Sequence, residues 1–481
     1  MRGRDRTLRV ILRAVCAGVV LLVAASPSVT SQSSGPTSVQ FGKNIRLTVN
    51  LDQEETAIAA NPLNAANLVA VSQGPLGRPT PRACDFVFTT NGGKSWMFGG
   101  SAPLERSGDT CADPAIAADG QGNFYFAHLD FLISGGVVTE SDVLVAKSTD
   151  GGQTFPAFTV AVNQDPKDPR SPDPDKEFVA VDTGTASAFR GTIYVAYTDL
   201  GNIQGDQIEA VISRDGGATW SLPAVIAAPA ANEKAAVTRA GALPVVAADG
   251  TVYVFYAEFP FLGVGPMSIR FSKSTNGGVT WSPPADVAAG LPSAGSFALK
   301  NSDPGFGTTV GAGLSSNSFP TVAVAPDGTL YVAWVDFPQG SCVADNSDRP
   351  PCINADVRLS VSRDGGATWT PPVKATDEIN PTDQFFPWIA AHPNGLLSMA
   401  WRDKRLDPNN VNIDTFYTNT PDGATFLPNV RVSSVASPNT PGFFLGDYQG
   451  LAVTADGIFP VWTDTRSGDE DVFTSVGRLL H

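Results

Sequence analysis

The residues that could do chemistry are polar side chains at positions where related segments of the chain carry apolar ones. One short segment recurs seven times, and aligning its copies places Glu55, Asp113 and Lys176 where the other four copies hold an apolar or aromatic residue. The next position is mostly Pro, and Glu177 and Gln449 are polar exceptions there. Carboxyl groups gathered at one site can act as acid and base. These exceptions are therefore candidate site residues, and polar rim residues without a catalytic role are the alternative.

A second set of acids stands at the end of the following segment of most copies. Such acids can cap a hairpin, bind Ca²⁺ or act in acid–base catalysis. Because they recur copy after copy, a structural role is favoured. The densest cluster spans 464–471, and its Asp464, Asp469 and Asp471 are predicted to hold a structural Ca²⁺ ion; no other cofactor is expected. With three histidines in the chain, a His-rich metal site or a Ser-His-Asp triad is not supported.

The elements that position these residues are revealed by a repeated turn. Its fullest form is Ser362–Trp369, and related stretches lie at 89–96, 148–155, 213–220, 274–281 and, shortened, 420–426. Each copy lies between runs of alternating residues, which is typical of a β-hairpin turn. The Gly pair allows positive φ, and the Asp or Asn side chain can accept backbone N–H groups across the bend.

This turn resembles the Asp-box of the sialidase-like β-propellers. The resemblance implies an all-β fold in which each Asp-box joins strands three and four of a blade. Because the first two strands recur seven times, the chain is predicted to be one propeller of seven four-stranded blades. Six blades, as in sialidases, are the alternative.

The two ends of the chain are predicted to meet in the last blade. That blade lacks a fourth strand of its own, and residues 44–50 supply a matching sequence, so the propeller is predicted to span 39–481. Residues 1–31 combine an Arg-rich start with a short apolar run, which indicates a secretory signal peptide, and 32–38 form a polar leader predicted to be disordered.

Four cysteines remain after the predicted signal, as expected for an exported protein with two disulfides. All four fall in the long connections, which share one face of the propeller. This placement predicts the pairs Cys84–Cys111 and Cys342–Cys352. Long loops on a rigid scaffold often carry function, so this face is predicted to be the working one.

The sialidase resemblance implies roles for particular residues. Tyr448 would be the nucleophile, Glu177 its base and Asp113 the acid/base. Three arginines, Arg402, Arg405 and Arg466, would clamp a substrate carboxylate. The chain departs from the family because the Arg-Ile-Pro motif that supplies the first clamp arginine is absent.

Three functions therefore stay open: a sialidase-like exo-glycosidase, a glucan hydrolase using two carboxylates, or a propeller that binds glycan or protein without catalysis. A formal net charge of −15 argues against nucleic acid and anionic membranes as partners. The expected partner is a carbohydrate or glycoprotein. No later segment is predicted to span a membrane, and together with the predicted signal peptide this indicates a secreted protein. A monomer is expected.

Overall fold

The computed structural model describes residues 38–48, 53–74, 82–135, 137–168, 170–201, 205–229, 237–260, 265–293, 295–299, 315–338, 341–342, 351–439 and 444–480. The predicted signal peptide and the leader up to residue 37 lie outside these ranges. Within these ranges, every named secondary-structure element is a β-strand. They contain no helix long and apolar enough to cross a membrane.

The strands follow one another in a regular order along the chain. The N-terminal pair and blades one to three comprise β1 (Ser38–Phe41), β2 (Ile45–Arg46), β3 (Glu54–Asn61), β4 (Asn64–Gln73), β5 (Cys84–Thr89), β6 (Met97–Ser101), β7 (Thr110–Ala118), β8 (Phe124–Ser134), β9 (Val137–Ser148), β10 (Phe158–Val162), β11 (Pro174–Val181), β12 (Ile193–Asp199), β13 (Gln207–Ser213) and β14 (Ala224–Ala227). Blade four and the segment after it comprise β15 (Val237–Val246), β16 (Val252–Pro260), β17 (Gly265–Ser274), β18 (Ala285–Ser293), β19 (Ser296–Leu299) and β20 (Ser315–Asn317). The remainder comprises β21 (Thr321–Val324), β22 (Leu330–Asp336), β23 (Ser341–Cys342), β24 (Pro351–Ile353), β25 (Asp356–Ser362), β26 (Val373–Lys374), β27 (Gln384–Ala391), β28 (Leu397–Asp403), β29 (Asp414–Thr420), β30 (Val430–Arg431), β31 (Gly450–Val453), β32 (Ile458–Asp464), β33 (Asp471–Thr474) and β34 (Gly477–Leu480).

These strands form seven antiparallel blades, so the prediction of a seven-bladed all-β propeller is confirmed. Six blades take their strands in simple chain order, from β3–β6 in blade one to β27–β30 in blade six. In blade five, β23 and β24 lie in the chain between the second and third strands, and they join β19 and β20 in a separate small sheet. That sheet is built from two long connections, one between blades four and five and the other between β22 and β25.

Blade seven combines strands from both ends of the described chain. Its C-terminal strands β31, β32 and β33 are joined by β2, which pairs with β33, while β1 pairs with β34. Side chains add to this closure: Arg46 lies 2.6 Å from Asp471, and Thr48 accepts a hydrogen bond from the backbone of Val472 at 2.9 Å. Residues 49–50 of the predicted closing strand lie outside the described part.

The repeated turns have the hydrogen bonds that their sequence predicts. In the Ser362–Trp369 copy, one carboxylate oxygen of Asp364 accepts from the Thr368 backbone at 2.9 Å, and the other accepts from the Thr368 hydroxyl at 2.6 Å. The hydroxyl of Ser362 accepts from the Gly366 backbone at 2.9 Å. Gly365 and Gly366 have φ of 68° and 85°, a region that favours glycine. Each turn thus links the third and fourth strands of a blade.

The second strand of each blade is buried along most of its length, which explains its continuous apolar sequence. In blades five to seven it carries a fully buried Trp two residues before a terminal Asp. The indole N–H of each Trp donates to that Asp, at 3.3, 2.7 and 2.9 Å for Trp334–Asp336, Trp401–Asp403 and Trp462–Asp464. The recurring acids at these strand ends therefore have a structural role.

One predicted disulfide is present. Cys84 and Cys111 are bonded, with Cα atoms 5.5 Å apart, and join the third strand of blade one to the first strand of blade two. The backbone register of β23 and β24 places Cys342 opposite Cys352. Cys352 is disulfide-bonded, but the side chain of Cys342 is outside the described part, so the pairing of these two cysteines stays a prediction.

Candidate active site at the channel mouth

The first strands of several blades share a bulge that presents side chains at the long-loop end of the propeller. Their pairing with the second strand shifts register at this point in blades one, two, three, four and six. The first bulge residue has positive φ in each case, as in Glu55 (52°), Asp113 (51°) and Lys176 (53°). Non-glycine residues in this region cost on the order of 1–3 kcal/mol and are concentrated at functional sites. Three charged residues therefore share an unusual backbone conformation.

The structure corrects the sequence alignment of blade four. Leu243 is the apolar residue that the sequence alignment places opposite Glu55 in this blade, but the bulge lies between Ala240 and Leu243, and its first residue is Gly241 with φ of 73°. The bulge in this blade therefore begins two residues before the position that the alignment predicts. It begins at a Gly, which permits positive φ, and not at an apolar residue.

The ammonium group of Lys176 joins acids from three parts of the chain. Its Nζ lies 3.1 Å from Glu55 Oε1, 3.0 Å from Asp113 Oδ1 and 2.7 Å from Asp447 Oδ2. The side chain of Lys176 is 10% exposed, and that of Asp447, at 19%, is the most accessible of the three acids. Burial alone would lower the pKa of Lys176, but Asp113, Asp447 and Glu55 together hold it well above its ordinary value. The lysine is therefore a fixed positive charge.

Glu55 and Asp113 form a pair of carboxyl groups whose proton affinities differ. Both carboxylates contact the ammonium group of Lys176. Burial raises the pKa of Glu55 well above its ordinary value against the opposing charge of Lys176, and the charges of Asp113 and Asp447 add to the increase. Burial would also raise the pKa of Asp113, but Lys176 holds it below its ordinary value. Glu55 is thus the protonated member and Asp113 the ionised one.

A close approach of backbone segments places Asp447 in this group. Gly446 has φ of 85°, and a Cβ atom there would lie 2.5 Å from Cγ of Glu55. Only glycine allows this contact. The following N–H, that of Asp447, donates to Glu55 Oε1 at 3.2 Å. Asp447 was not predicted as a site residue, although its position next to Tyr448 was a signal.

Glu177, predicted as a base, is a buried acid. It is 1% exposed, and neither carboxylate oxygen has a hydrogen-bond partner among the described residues. Burial is the main reason why its pKa is raised well above the ordinary value, and the charge of Asp113 adds to this. In blade one the equivalent residue, Thr56, donates to the carbonyl of Val461 in the neighbouring blade. By this equivalence we expect Glu177 to face blade two.

Tyr448 contributes to an aromatic cluster across the central channel. Its hydroxyl donates to the carbonyl of Pro114 in blade two at 3.0 Å, and its ring packs against Phe178 and Trp388. Lys176 Nζ lies 5.5 Å from the ring centroid. Burial, followed by the charges of Glu55 and Asp113, raises the pKa of Tyr448 well above 10. These contacts do not favour Tyr448 as a nucleophile, because the hydroxyl would have to lose a proton that its surroundings retain.

A small cavity lies beside Tyr448. The cavity that it lines with Asp447, Phe319 and Trp388 has a volume of about 20 Å³, enough for one water molecule. A wider cavity of about 600 Å³ lies at the other end of the channel, lined by the short turns of six blades. Its walls are mainly backbone and small side chains and lack the paired acids of the mouth. A substrate of the acidic cluster must therefore approach from the long-loop face.

The three predicted clamp arginines lie apart from this cluster. Arg402 is buried in blade six, where its guanidinium donates to Thr415 at 2.7 Å. Arg405 lies 2.7 Å from Asp403 and 2.5 Å from Asp377, and Arg466 lies 2.5 Å from Asp464. No contact among the described residues joins any of them to Tyr448. Arg405 and Arg466 pair with the strand-end acids of their own blades and Arg402 bonds Thr415, so the contacts among the described residues do not assemble the predicted carboxylate clamp.

The predicted calcium ligands are also engaged elsewhere. Asp464 accepts from Trp462 and Arg466, while Asp471 pairs with Arg46 and with the Ser467 hydroxyl. Asp469 is exposed. A calcium site on Asp464, Asp469 and Asp471 stays a prediction that these contacts do not favour.

Comparison with known proteins supports the fold. No protein-family profile matches the chain, and neither does any curated protein sequence. Among solved structures, an ulvan lyase of polysaccharide lyase family PL25 aligns with a TM-score of 0.54 at 10% identity, covering 91% of this chain and 96% of its own. A protein of unknown function from Dyadobacter fermentans aligns at 0.46 and 14% identity over 92% and 99%. The sialidase NanB from Streptococcus pneumoniae aligns at 0.43 and 10% identity over 89% and 68%. At these identities the likeness concerns the propeller fold alone.

Proposed function

We propose that this protein is a glycan-cleaving hydrolase in which carboxyl groups at the channel mouth act as acid and base. The observation that carries the proposal is the cluster on Lys176, which holds Glu55, Asp113 and Asp447 within about 3.1 Å of one ammonium nitrogen. Such a cluster is costly to bury, and the backbone of Glu55, Asp113 and Lys176 has unfavourable positive φ. Both features are typical of a functional site. A glycan is proposed because the ulvan lyase that shares the fold is named for a polysaccharide substrate.

Glu55 would donate a proton to the leaving oxygen, and Asp113 would accept one from water. This division follows the opposite pKa shifts of the two groups, since an acid must begin protonated and a base ionised. Lys176 would keep Asp113 ionised and would hold the two carboxyl groups in place. Glu177 is a second protonated acid, but its expected direction toward blade two makes it the less suitable donor.

The charge of the site favours a sugar that carries no negative charge. Sialosides and uronates present a carboxylate that must be matched by a cation. Among the described residues, the cation in contact with Glu55, Asp113 and Asp447 is Lys176, and these three acids already match its charge. Arg82 is a further described cation whose charge acts on Asp113. These contacts therefore support the carboxylate-pair alternative over a sialidase, and they equally oppose a lyase that acts on uronates.

The proposal is tested by measuring reducing-sugar release from a panel of neutral polysaccharides, with a fluorogenic sialoside and a uronate polysaccharide beside them. Activity on a neutral glycan should fall by about 10²-fold or more in Asp113→Asn and Glu55→Gln. Glu209→Gln is the control, because Glu209 is also buried and hydrogen-bonded, to Tyr197 at 2.6 Å, but lies in the third strand of blade three. It should retain activity.

Other outcomes have distinct meanings. Loss of activity in Glu177→Gln but not in Glu55→Gln would move the proton donor to Glu177. Release from the sialoside alone would revive Tyr448 as the nucleophile, and an unsaturated product from the uronate would indicate a lyase. Inactivity on every substrate would contradict the proposed hydrolase and leave a binding propeller.

A further inference from the structure

An acidic cluster in blade two lies outside the proposed active site. It contains Glu105 and Asp109 from the segment before β7, Asp130 in β8, and Glu140 and Asp142 in β9. Ligand oxygens of Glu105, Glu140 and Asp142 all lie within 4.8 Å of one another. Oxygens bound to one calcium ion at 2.3–2.6 Å are separated by no more than about 5 Å. The spacing therefore fits a single ion.

The other blades show what is missing here. Wherever acids face each other at the ends of strands two and three in blades five to seven, each acid has an Arg or Lys within 4 Å. These pairs are Asp336–Arg358 (3.8 Å), Asp356–Lys374 (2.8 Å), Asp403–Arg405 (2.7 Å), Asp414–Arg431 (2.6 Å), Asp464–Arg466 (2.5 Å) and Asp471–Arg46 (2.6 Å). In blade two, Asp130 and Asp142 face each other in the same way, yet neither has an ion pair with a Lys or Arg in the described ranges.

An unpartnered oxygen lies in the same cluster. Asp130 is 3% exposed, and its Oδ1 has no hydrogen-bond partner in the described part of the chain, while its Oδ2 accepts from the Glu105 backbone at 2.6 Å. Its carboxyl group also contacts that of Asp109. Cross-strand partners project from the same face of a sheet, so Asp130 and Asp142 lie side by side. A buried carboxylate oxygen without a partner is costly, which points to a bound cation.

We propose that Glu105, Glu140 and Asp142, beside the unpartnered oxygen of Asp130, bind a divalent cation, best suited to Ca²⁺, that replaces the basic side chain of the other blades. The three ligands are carboxylates, one from the segment before β7 and two from β9, and calcium accepts such irregular geometry more readily than magnesium does. Arg106 lies at the edge of the cluster, 2.7 Å from Glu140 and 3.3 Å from Glu105, and is 42% exposed. It competes with the ion for these two carboxylates.

The test is calorimetric titration of metal-stripped protein with CaCl₂, and with MgCl₂ for comparison, together with thermal melting in both salts. Wild-type protein should bind one Ca²⁺ and melt at a higher temperature with it. Asp142→Asn should weaken calcium binding by about tenfold or more. Arg106→Gln should strengthen it, because the competing cation is removed. Asp414→Asn is the matched control, since Asp414 has the same position in blade six but pairs with Arg431.

Absence of calcium binding by the wild-type protein would overturn the proposal. So would an unchanged affinity in Asp142→Asn, which would place any bound ion elsewhere. If Asp142→Asn does not fold, Glu140→Gln removes a ligand that is partly exposed, and it should weaken binding in the same direction. Equal affinity of Glu140→Gln and wild type would then contradict the site.

Discussion

At the scale of single residues, the proposed function depends on Lys176. Its ammonium group compensates three acids that come from blade one, blade two and the segment before blade seven. Removing one member of a buried charge group leaves the others uncompensated, which costs more than the group itself contributes. The lysine therefore links the stability of the inner ring to the ionisation of the proposed catalytic acids.

Replacement of Lys176 by Met is expected to destabilise the protein by roughly 3–5 kcal/mol in denaturant unfolding. Arg170→Met is the control, because Arg170 also pairs with an acid, Asp168, but both side chains are exposed, so the loss of stability should be much smaller. Similar losses in the two variants would contradict a special role for Lys176.

The same residue is expected to set the pH dependence of activity. Catalysis needs Glu55 protonated and Asp113 ionised, so activity should fall as pH rises through the raised pKa of Glu55 and as pH falls through the lowered pKa of Asp113. Lys176 lowers the pKa of Asp113. In Lys176→Met the acidic limb of a kcat/KM profile should therefore move to higher pH. An acidic limb at unchanged pH would show that Asp113 is not the group that must be ionised for catalysis.

At the scale of elements, the repeated turn holds the third and fourth strands of a blade and packs against the preceding blade. The second glycine of each of the five full-length turns has positive φ, but the space around it differs. A Cβ atom on Gly152 would lie 2.0 Å from Cγ2 of Val69, which is fully buried in blade one. On Gly217 it would lie 3.6 Å from the Tyr125 ring, an ordinary contact.

Gly152→Ala is therefore expected to destabilise the protein more than Gly217→Ala. Both variants incur the left-handed backbone cost of about 1–2 kcal/mol, and only the first adds a steric clash of about 1–3 kcal/mol. Denaturant unfolding of the two variants measures the difference directly. Equal destabilisation would mean that the backbone conformation alone makes glycine necessary.

At the scale of the whole molecule, closure of the propeller depends on pairing segments that are far apart in sequence. Strand β2 pairs with β33 and β1 with β34, so the chain ends share blade seven. This arrangement joins the N-terminal strands to the sheet of the last blade and so closes the ring.

Deletion of residues 38–48 should lower the melting temperature sharply, because it removes both pairings together with the contact between Arg46 and Asp471. The control is Arg46→Gln, which removes that contact but keeps the strands and should shift the melting temperature much less. If the deletion melts like the wild-type protein, the N-terminal segment does not stabilise the propeller.

The sequence by itself determined the fold, since turn chemistry and strand periodicity are local. The copies of Ser362–Trp369 predict hairpins, and the count of strand pairs predicts seven blades. It also predicted the disulfide between Cys84 and Cys111 and singled out Glu55, Asp113 and Lys176 as polar exceptions. These signals can be found along the chain because each depends on a few neighbouring residues.

Only the tertiary structure decided which polar residues meet. Arg402, Arg405 and Arg466 follow strand two as a carboxylate clamp would require, yet Arg405 and Arg466 pair with strand-end acids and Arg402 bonds Thr415, all in their own blades. Asp447 joins Lys176 because Gly446 allows a backbone approach that no spacing reveals. Which charges come into contact depends on the relative placement of blades across the channel. The pKa values follow from burial and charge neighbours, and both are properties of the assembled ring.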